Sequence, residues 1–221
     1  MSEIKYICFD IGNVANENAF DDILSKGQER WGSKFSESNL MNMVFFKDNE
    51  RDYWREFQNG ILAADDYLGI ALNSGGFAET QENKEHFRSC LESWCGKPYQ
   101  KITDLASRLM KNGYHTSVLS NNNEIMYHTP SAVKISSIVD VSLSSHEIGV
   151  SKPDSKAYSI LLEKINADDP SEVIFIDDKM RNIEGAEKVG IDAFHFRSTE
   201  ISMDEAFNEL LSYLASKNVR V

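Results

Sequence analysis

The amino-acid sequence predicts an α/β architecture, a mostly parallel sheet covered by helices on both sides, and three observations predict it. Five short apolar runs of β-forming character recur along the chain. Between the later runs lie apolar stripes at helical spacing, and strand alternating with helix implies parallel pairing with both faces covered. One stretch, residues 16–95, carries no convincing strand at all. It is far longer than the ~30 residues of a βαβ unit, so it reads as a helical insertion after the first strand.

The expected strands are residues 4–9, 116–119, 138–143, 173–176 and 193–196. Ile102, Leu105, Ala106, Leu109 and Met110 repeat at helical spacing before the second strand, with Gly113 suited to the cap. Tyr158, Leu161, Leu162 and Ile165 form the next stripe, after a start at Lys152-Pro153-Asp154. Ile183, Ala186 and Val189 make a shorter one ending at Gly190, and Ala206, Phe207, Leu210, Leu211 and Leu214 share one face of a final helix. Within the insertion, four short amphipathic helices are expected around Phe20/Ile23/Leu24, Leu40/Met43/Val44, Tyr53/Trp54/Phe57 and Phe87/Leu91/Trp94. Asn59-Gly60 and Asn73-Ser74-Gly75-Gly76 punctuate them.

Composition narrows the function. The chain is 41% hydrophobic and 26% charged over 221 residues, ordinary material for one core with a sizeable insertion. A net charge of −12 argues against nucleic acid, because no basic stripe is present to neutralise phosphates. No run approaches the ~18 apolar residues of a membrane span, and no secretory signal is visible. Three cysteines, Cys8, Cys90 and Cys95, make no disulfide framework, so a cytoplasmic location is expected, with Cys8 a core residue. An acidic chain can still bind a small phosphate ester if cations gather at one place.

Each sheet strand is followed by a distinctive polar residue. The first ends Phe9-Asp10-Ile11-Gly12-Asn13-Val14 and the second Val118-Leu119-Ser120-Asn121-Asn122. Glu147 to Asp154, including Lys152-Pro153, follows the third, and the fourth ends Phe175-Ile176-Asp177-Asp178, with Asn182 four residues on. Ligands of parallel sheets bind beyond the carboxyl ends of the strands, so these groups would share one rim. Taken singly each has a bland reading: Asp10 as a turn former, Ser120 as a helix cap, Lys152 as a solvated surface residue. The Asp177–Asp178 pair is the sharpest, because adjacent carboxylates repel unless a cation sits with them.

Taken together, the ordered acid, hydroxyl, lysine and paired acids resemble the four motifs of the haloacid dehalogenase superfamily. The likeness covers essentially the whole chain. It is greatest to the branch holding glucose-1-phosphatase-like proteins and the N-terminal phosphatase domains of soluble epoxide hydrolases. The resemblance implies a Rossmann-like catalytic core over residues 1–15 and 96–221, with a small all-helical cap over 16–95. It implies a Mg²⁺-dependent phosphatase acting on a small phosphorylated metabolite, a sugar phosphate first of all. In that reading Asp10 is the nucleophile, and Asp10, the Gly12 carbonyl and Asp178 hold the metal. Ser120 and the Asn121 amide bind the phosphoryl group, Lys152 offsets its charge, and Asp177 stands behind, though either member of the acidic pair could reach the metal. Carboxylate attack giving an aspartyl-phosphate, with a hard cation on oxygen ligands, agrees with phosphoryl-transfer chemistry on general grounds.

The chain departs from that pattern at Gly12, where most phosphatases of the superfamily carry an aspartate as general acid–base. That help is typically worth ~10²–10⁴-fold. Glu17 is a candidate substitute, although a solvated residue at the cap entrance is the simpler reading. Two other functions remain open: a phospho-ligand-binding regulator that has lost turnover, and a haloacid dehalogenase, whose chemistry needs no metal. Lys47, Arg51 and Arg55 read more readily as a solvated helix face than as a second anion site.

Overall fold

The computed structural model describes residues 3–221. In chain order the strands are β1 Tyr6–Phe9, β2 Asn16–Asn18, β3 Lys47–Asp48, β4 Arg51–Asp52, β5 Cys95–Pro98, β6 His115–Ser120, β7 Val141–Ser144, β8 Val173–Asp177 and β9 Asp192–His195. The helices are α1 Phe20–Trp31, α2 Glu37–Val44, α3 Tyr53–Gln58, α4 Ala64–Ser74, α5 Gln81–Ser93, α6 Gln100–Lys111, α7 Glu124–Tyr127, α8 Pro130–Ser136, α9 Ser145–Ile148, α10 Ser155–Lys164, α11 Met180–Lys188 and α12 Met203–Ser216.

Five strands form one parallel sheet in the order β7-β6-β1-β8-β9. Alternation along β1 sends Ile7 and Phe9 to one face, where they pack with Ile102, Leu105 and Leu109 of α6 and Leu210 and Leu214 of α12. Cys8 points to the other face, with Tyr158 and Leu161 of α10 and Ile183 and Ala186 of α11. Burial there pushes the Cys8 thiol up to about 12, as expected of an inert core cysteine. The third strand starts at Val141 rather than 138. Asp140 ends the preceding loop by accepting from the Thr116 amide at 2.9 Å.

The insertion has its own apolar cluster, built from Ile23, Phe35, Met43, Phe57, Tyr67, Leu72, Phe87 and Leu91. Its helices bury most of the stripes read from sequence, leaving Phe20, Leu24, Trp54 and Trp94 partly covered, but it also contains α4, which buries Tyr67, Leu68, Ala71 and Leu72. Nor is it purely helical. Strands β2, β3 and β4 fall within it; β3 pairs with β4 and β2 with β5, both antiparallel. These strands are two or three residues long and wholly polar, Asn-Glu-Asn, Lys-Asp and Arg-Asp. They are held by backbone hydrogen bonds that leave no trace in an apolar pattern.

Candidate active site

The sheet changes direction of growth at β1. From there the chain builds β6 and β7 on one side and then returns to build β8 and β9 on the other. Such a switch point leaves a crevice at the carboxyl ends of the strands. Asp10 follows β1, its amide donating to the Ile176 carbonyl at 2.8 Å. Ser120 closes β6 and Asp177 closes β8, on the two strands flanking β1.

Lys152 reaches this rim from the loop between α9 and α10, and it is buried rather than solvated, 2% exposed. Its Nζ lies 3.0 Å from Asp10 Oδ1 and donates to Asp177 Oδ2 at 2.7 Å and to the Leu119 carbonyl at 2.6 Å. Burial alone would favour the neutral amine, but Asp10 and Asp177 outweigh it and hold the lysine pKa above its ordinary value. Lys152 is therefore a fixed cation. Its backbone is bracketed by the Asn121 carboxamide, which accepts from the Lys152 amide and donates to its carbonyl, both at 2.8 Å.

The two adjacent acids have different surroundings. Asp177 is saturated: besides Lys152, it accepts from the Lys179 amide at 2.8 Å and from Asn182 Nδ2 at 2.9 and 3.0 Å. Asp178 accepts at Oδ2 from Asn13 Nδ2 at 2.9 Å, while its buried Oδ1 has no hydrogen-bond partner. Burial first, and repulsion by Asp10 second, raise the carboxyl pKa of both. Oxygens of Asp10, Asp177 and Asp178 lie within 4.8 Å of one another. Three carboxylates therefore face one ammonium, and a buried carboxylate oxygen is left unsatisfied, which native proteins rarely tolerate without a reason. The donor set fits a hard cation bound by oxygen.

A cavity of about 800 Å³ opens over this rim, lined by Asp10, Gly12, Ser120, Asn121 and Lys152 from the sheet side. Gly12 presents no side chain; an added Cβ would stand 3.4 Å from Asn18 Oδ1, an ordinary contact. Glu17 on β2 is exposed and also lines the cavity. The insertion supplies the far wall, including Phe45, Lys47, Trp54, Arg55, Gln58 and Trp94. Lys47 and Arg55 thus face the cavity rather than forming a merely solvated surface, though Lys47 pairs with Asp52 at 2.8 Å. Arg51 turns away to Glu56.

Several contributors carry no sequence signal of their own. Asn13 holds Asp178 from a left-handed backbone (φ 58°), a conformation asparagine tolerates. Asn16 lines the cavity with both side-chain polar atoms buried and unpartnered. Only spacing hinted at Asn182, which the first turn of α11 aims back at Asp177.

A model of the haloacid dehalogenase-like hydrolases matches residues 4–190. Among curated proteins, the chain is 24% identical over 140 residues to (S)-2-haloacid dehalogenase 4A of Burkholderia cepacia, covering 63% of this chain and 56% of that one. It is 27% identical over 146 residues to a sesquiterpene phosphatase of Aspergillus oryzae, covering 64% of this chain and 71% of that one. The chain thus spans little more than half the length of the dehalogenase. Among solved structures, a HAD family enzyme of Bacteroides thetaiotaomicron in complex with magnesium and inorganic phosphate superposes with a TM-score of 0.73 at 18% identity, covering 91% of this chain and 98% of that one. An L-2-haloacid dehalogenase of Xanthobacter autotrophicus with chloropropionic acid covalently bound superposes at 0.64 and 15% identity, covering 99% and 85%. The structural likenesses establish the fold, and the family match over residues 4–190 establishes that this chain belongs to the haloacid dehalogenase-like hydrolases.

Proposed function

We propose that the protein is a Mg²⁺-dependent phosphatase of small phosphorylated metabolites, with residues 1–15 and 96–221 as catalytic core and 16–95 as cap. The observation that carries this reading is the orphaned Asp178 Oδ1 beside Asp10. A carboxylate attacking an alkyl halide needs no second or third buried acid beside it; those acids only raise the electrostatic cost. A phosphate dianion meeting Asp10 needs a cation, and the acids supply its seat. The magnesium and phosphate complex of the Bacteroides enzyme agrees.

Asp178 through Oδ1, a carboxylate oxygen of Asp10 and the Gly12 carbonyl would hold the Mg²⁺, which when bound neutralises charge on the transferring phosphoryl group. The saturated Asp177 instead orients Lys152 and the first turn of α11. Asp10 attacks phosphorus as the bond to the ester oxygen breaks, and the leaving oxygen departs with that electron pair and takes up a proton. Ser120 and the Asn121 amide receive the phosphoryl oxygens, and Lys152 offsets their charge. Water then attacks phosphorus, the bond to Asp10 breaks, and inorganic phosphate leaves.

A dehalogenase is the second reading, favoured by the Burkholderia relative and by the missing acid at Gly12. Assays of phosphate monoesters and of 2-chloropropionate, each with Mg²⁺ and with EDTA, separate the two. Ester hydrolysis abolished by EDTA and restored by Mg²⁺ is expected. Halide release undiminished in chelator, with no ester turned over, would reverse the assignment.

A further inference from the structure

The cavity is much larger than a phosphoryl group, and its far wall has a marked character. Phe45 at the end of α2, Trp54 on α3 and Trp94 at the end of α5 pack together, Phe45 T-shaped against both tryptophans and the tryptophans tilted against each other, with ring centroids 5.7, 6.3 and 6.0 Å apart. Phe45 is 39% exposed, and both tryptophans, though packed on one side against the insertion's core, are only partly buried and line the cavity. Neither indole N–H has a hydrogen-bond acceptor among the described residues. Three aromatic side chains from three separate helices, left partly bare inside a cavity, form a platform rather than a packing remnant.

Some of the polar groups beside this wall are already engaged. Lys47 pairs with Asp52, Asp52 also caps α3 through the Arg55 amide, and Gln58 Nε2 donates to the Asn121 carbonyl. A flat unsaturated ring can lie on this wall without breaking any of those pairs. Gly12 points the same way from the opposite side of the cavity. With no carboxyl there to protonate the leaving oxygen, turnover is best served by an oxygen that carries negative charge unaided, as a phenolate does by delocalising it into the ring.

We infer that the ester body is aromatic: the Phe45–Trp54–Trp94 wall is a leaving-group subsite for an aryl phosphate, in place of the sugar phosphate suggested by resemblance. This rests on the phosphatase reading of Asp10. Asp10 attacks phosphorus as before, and the bond to the ester oxygen breaks with the phenolate as leaving group, its proton drawn from solvent.

Leaving-group acidity and ring recognition must be separated in the test. Phenyl phosphate and hexafluoroisopropyl phosphate leave as alcohols of similar acidity, but only one carries a ring. With Mg²⁺ and the unmodified protein, kcat/KM is expected to be at least about tenfold higher for the phenyl ester, and Trp54→Leu or Trp94→Leu to remove most of that ratio. Binding supplies a readout independent of turnover and of the folding of those variants. Phenylphosphonate, which cannot be hydrolysed, should bind the Mg²⁺-loaded protein about tenfold tighter than methylphosphonate, and 4-nitrophenylphosphonate should quench tryptophan fluorescence on binding. Equal rates for the two esters, or equal affinity for the two phosphonates, would overturn the subsite. If no ester is hydrolysed the phosphatase reading fails on its own, and the phosphonate comparison still decides whether the wall takes a ring.

Discussion

Asp177 and Asp178 are chemically identical neighbours, and what separates them is the supply of donors. Lys152, Asn182 and the Lys179 amide consume the lone pairs of Asp177, whereas Asp178 keeps one buried oxygen free. Sequence could pose the choice but not resolve it, because the deciding donors come from two separate segments, the α9–α10 loop and the start of α11. The same scale sets the test of Asp10. Asp10→Asn preserves shape and leaves Lys152 with Asp177 as a partner, so the protein should fold and melt normally. Turnover should fall on the order of 10³-fold or more; a variant keeping a substantial fraction of the rate would end the aspartyl-phosphate mechanism. Glu17 faces the cavity but is exposed, and we expect it to carry no proton in catalysis. Across a leaving-group series, aspartyl-phosphate formation should depend steeply on leaving-group acidity, with the slope little altered in Glu17→Gln. A shallow slope made steep by that substitution would identify Glu17 as the acid, worth ~10²–10⁴-fold.

At the scale of elements, what was legible in the sequence is what buries apolar surface periodically. All five sheet strands and helices α6, α10, α11 and α12 announce themselves because the strands are apolar runs between two buried clusters and each helix presents one apolar face to one of them. Helix α4 carries the same helical stripe, Ala64, Tyr67, Leu68, Ala71 and Leu72, so its spacing is as legible as that of α6. Strands β2 to β4 hide because backbone pairing needs no side-chain pattern. The site follows the same division: residues at strand ends could be read, but the cavity wall of Phe45, Trp54 and Trp94 could not, since those rings had equally good claims to the core. One glycine shows how closely the insertion is packed. A Cβ on Gly27 of α1 would meet the Phe35 ring at 2.1 Å, and Phe35 is fully buried. Gly27→Ala gains up to ~1 kcal/mol of helix propensity but overpacks a core at a cost of about 1–3 kcal/mol. Net destabilisation is expected, read as a lower urea midpoint; a higher midpoint would mean that Phe35 is free to move.

Across the whole molecule, an acidic chain of net charge −12 gathers Lys47, Arg55, Lys152, Lys179 and Arg181 around one cavity, beside Asp10, Glu17 and Asp52. No described helix is long and apolar enough to cross a membrane. The insertion is tied to the site it covers: Ser145 Oγ donates to the Gln58 carbonyl at 2.6 Å, and Ser151 Oγ donates to Asn59 Oδ1. Gly60 ends this seam with φ 65°, and a Cβ there would lie 2.3 Å from the His146 carbonyl oxygen. Gly60→Ala should therefore lift α3 from the loops carrying Asn121 and Lys152. Catalytic efficiency should drop on the order of 10- to 100-fold through misplacement alone, while far-UV circular dichroism stays native; an unchanged kcat/KM would show that the seam is not needed. The pairing of β2 with β5 has a consequence of another kind. Asn16 faces Pro98 and Asn18 faces Cys95, so the chain leaves the sheet and comes back through two adjacent strands, ~5 Å apart. The sheet therefore closes the same short gate whatever hangs beyond it. Because closure entropy grows by only ~0.6 kcal/mol per doubling of loop length, what lies between the gateposts is free to lengthen, shrink or be exchanged without the five-stranded frame having to be rebuilt.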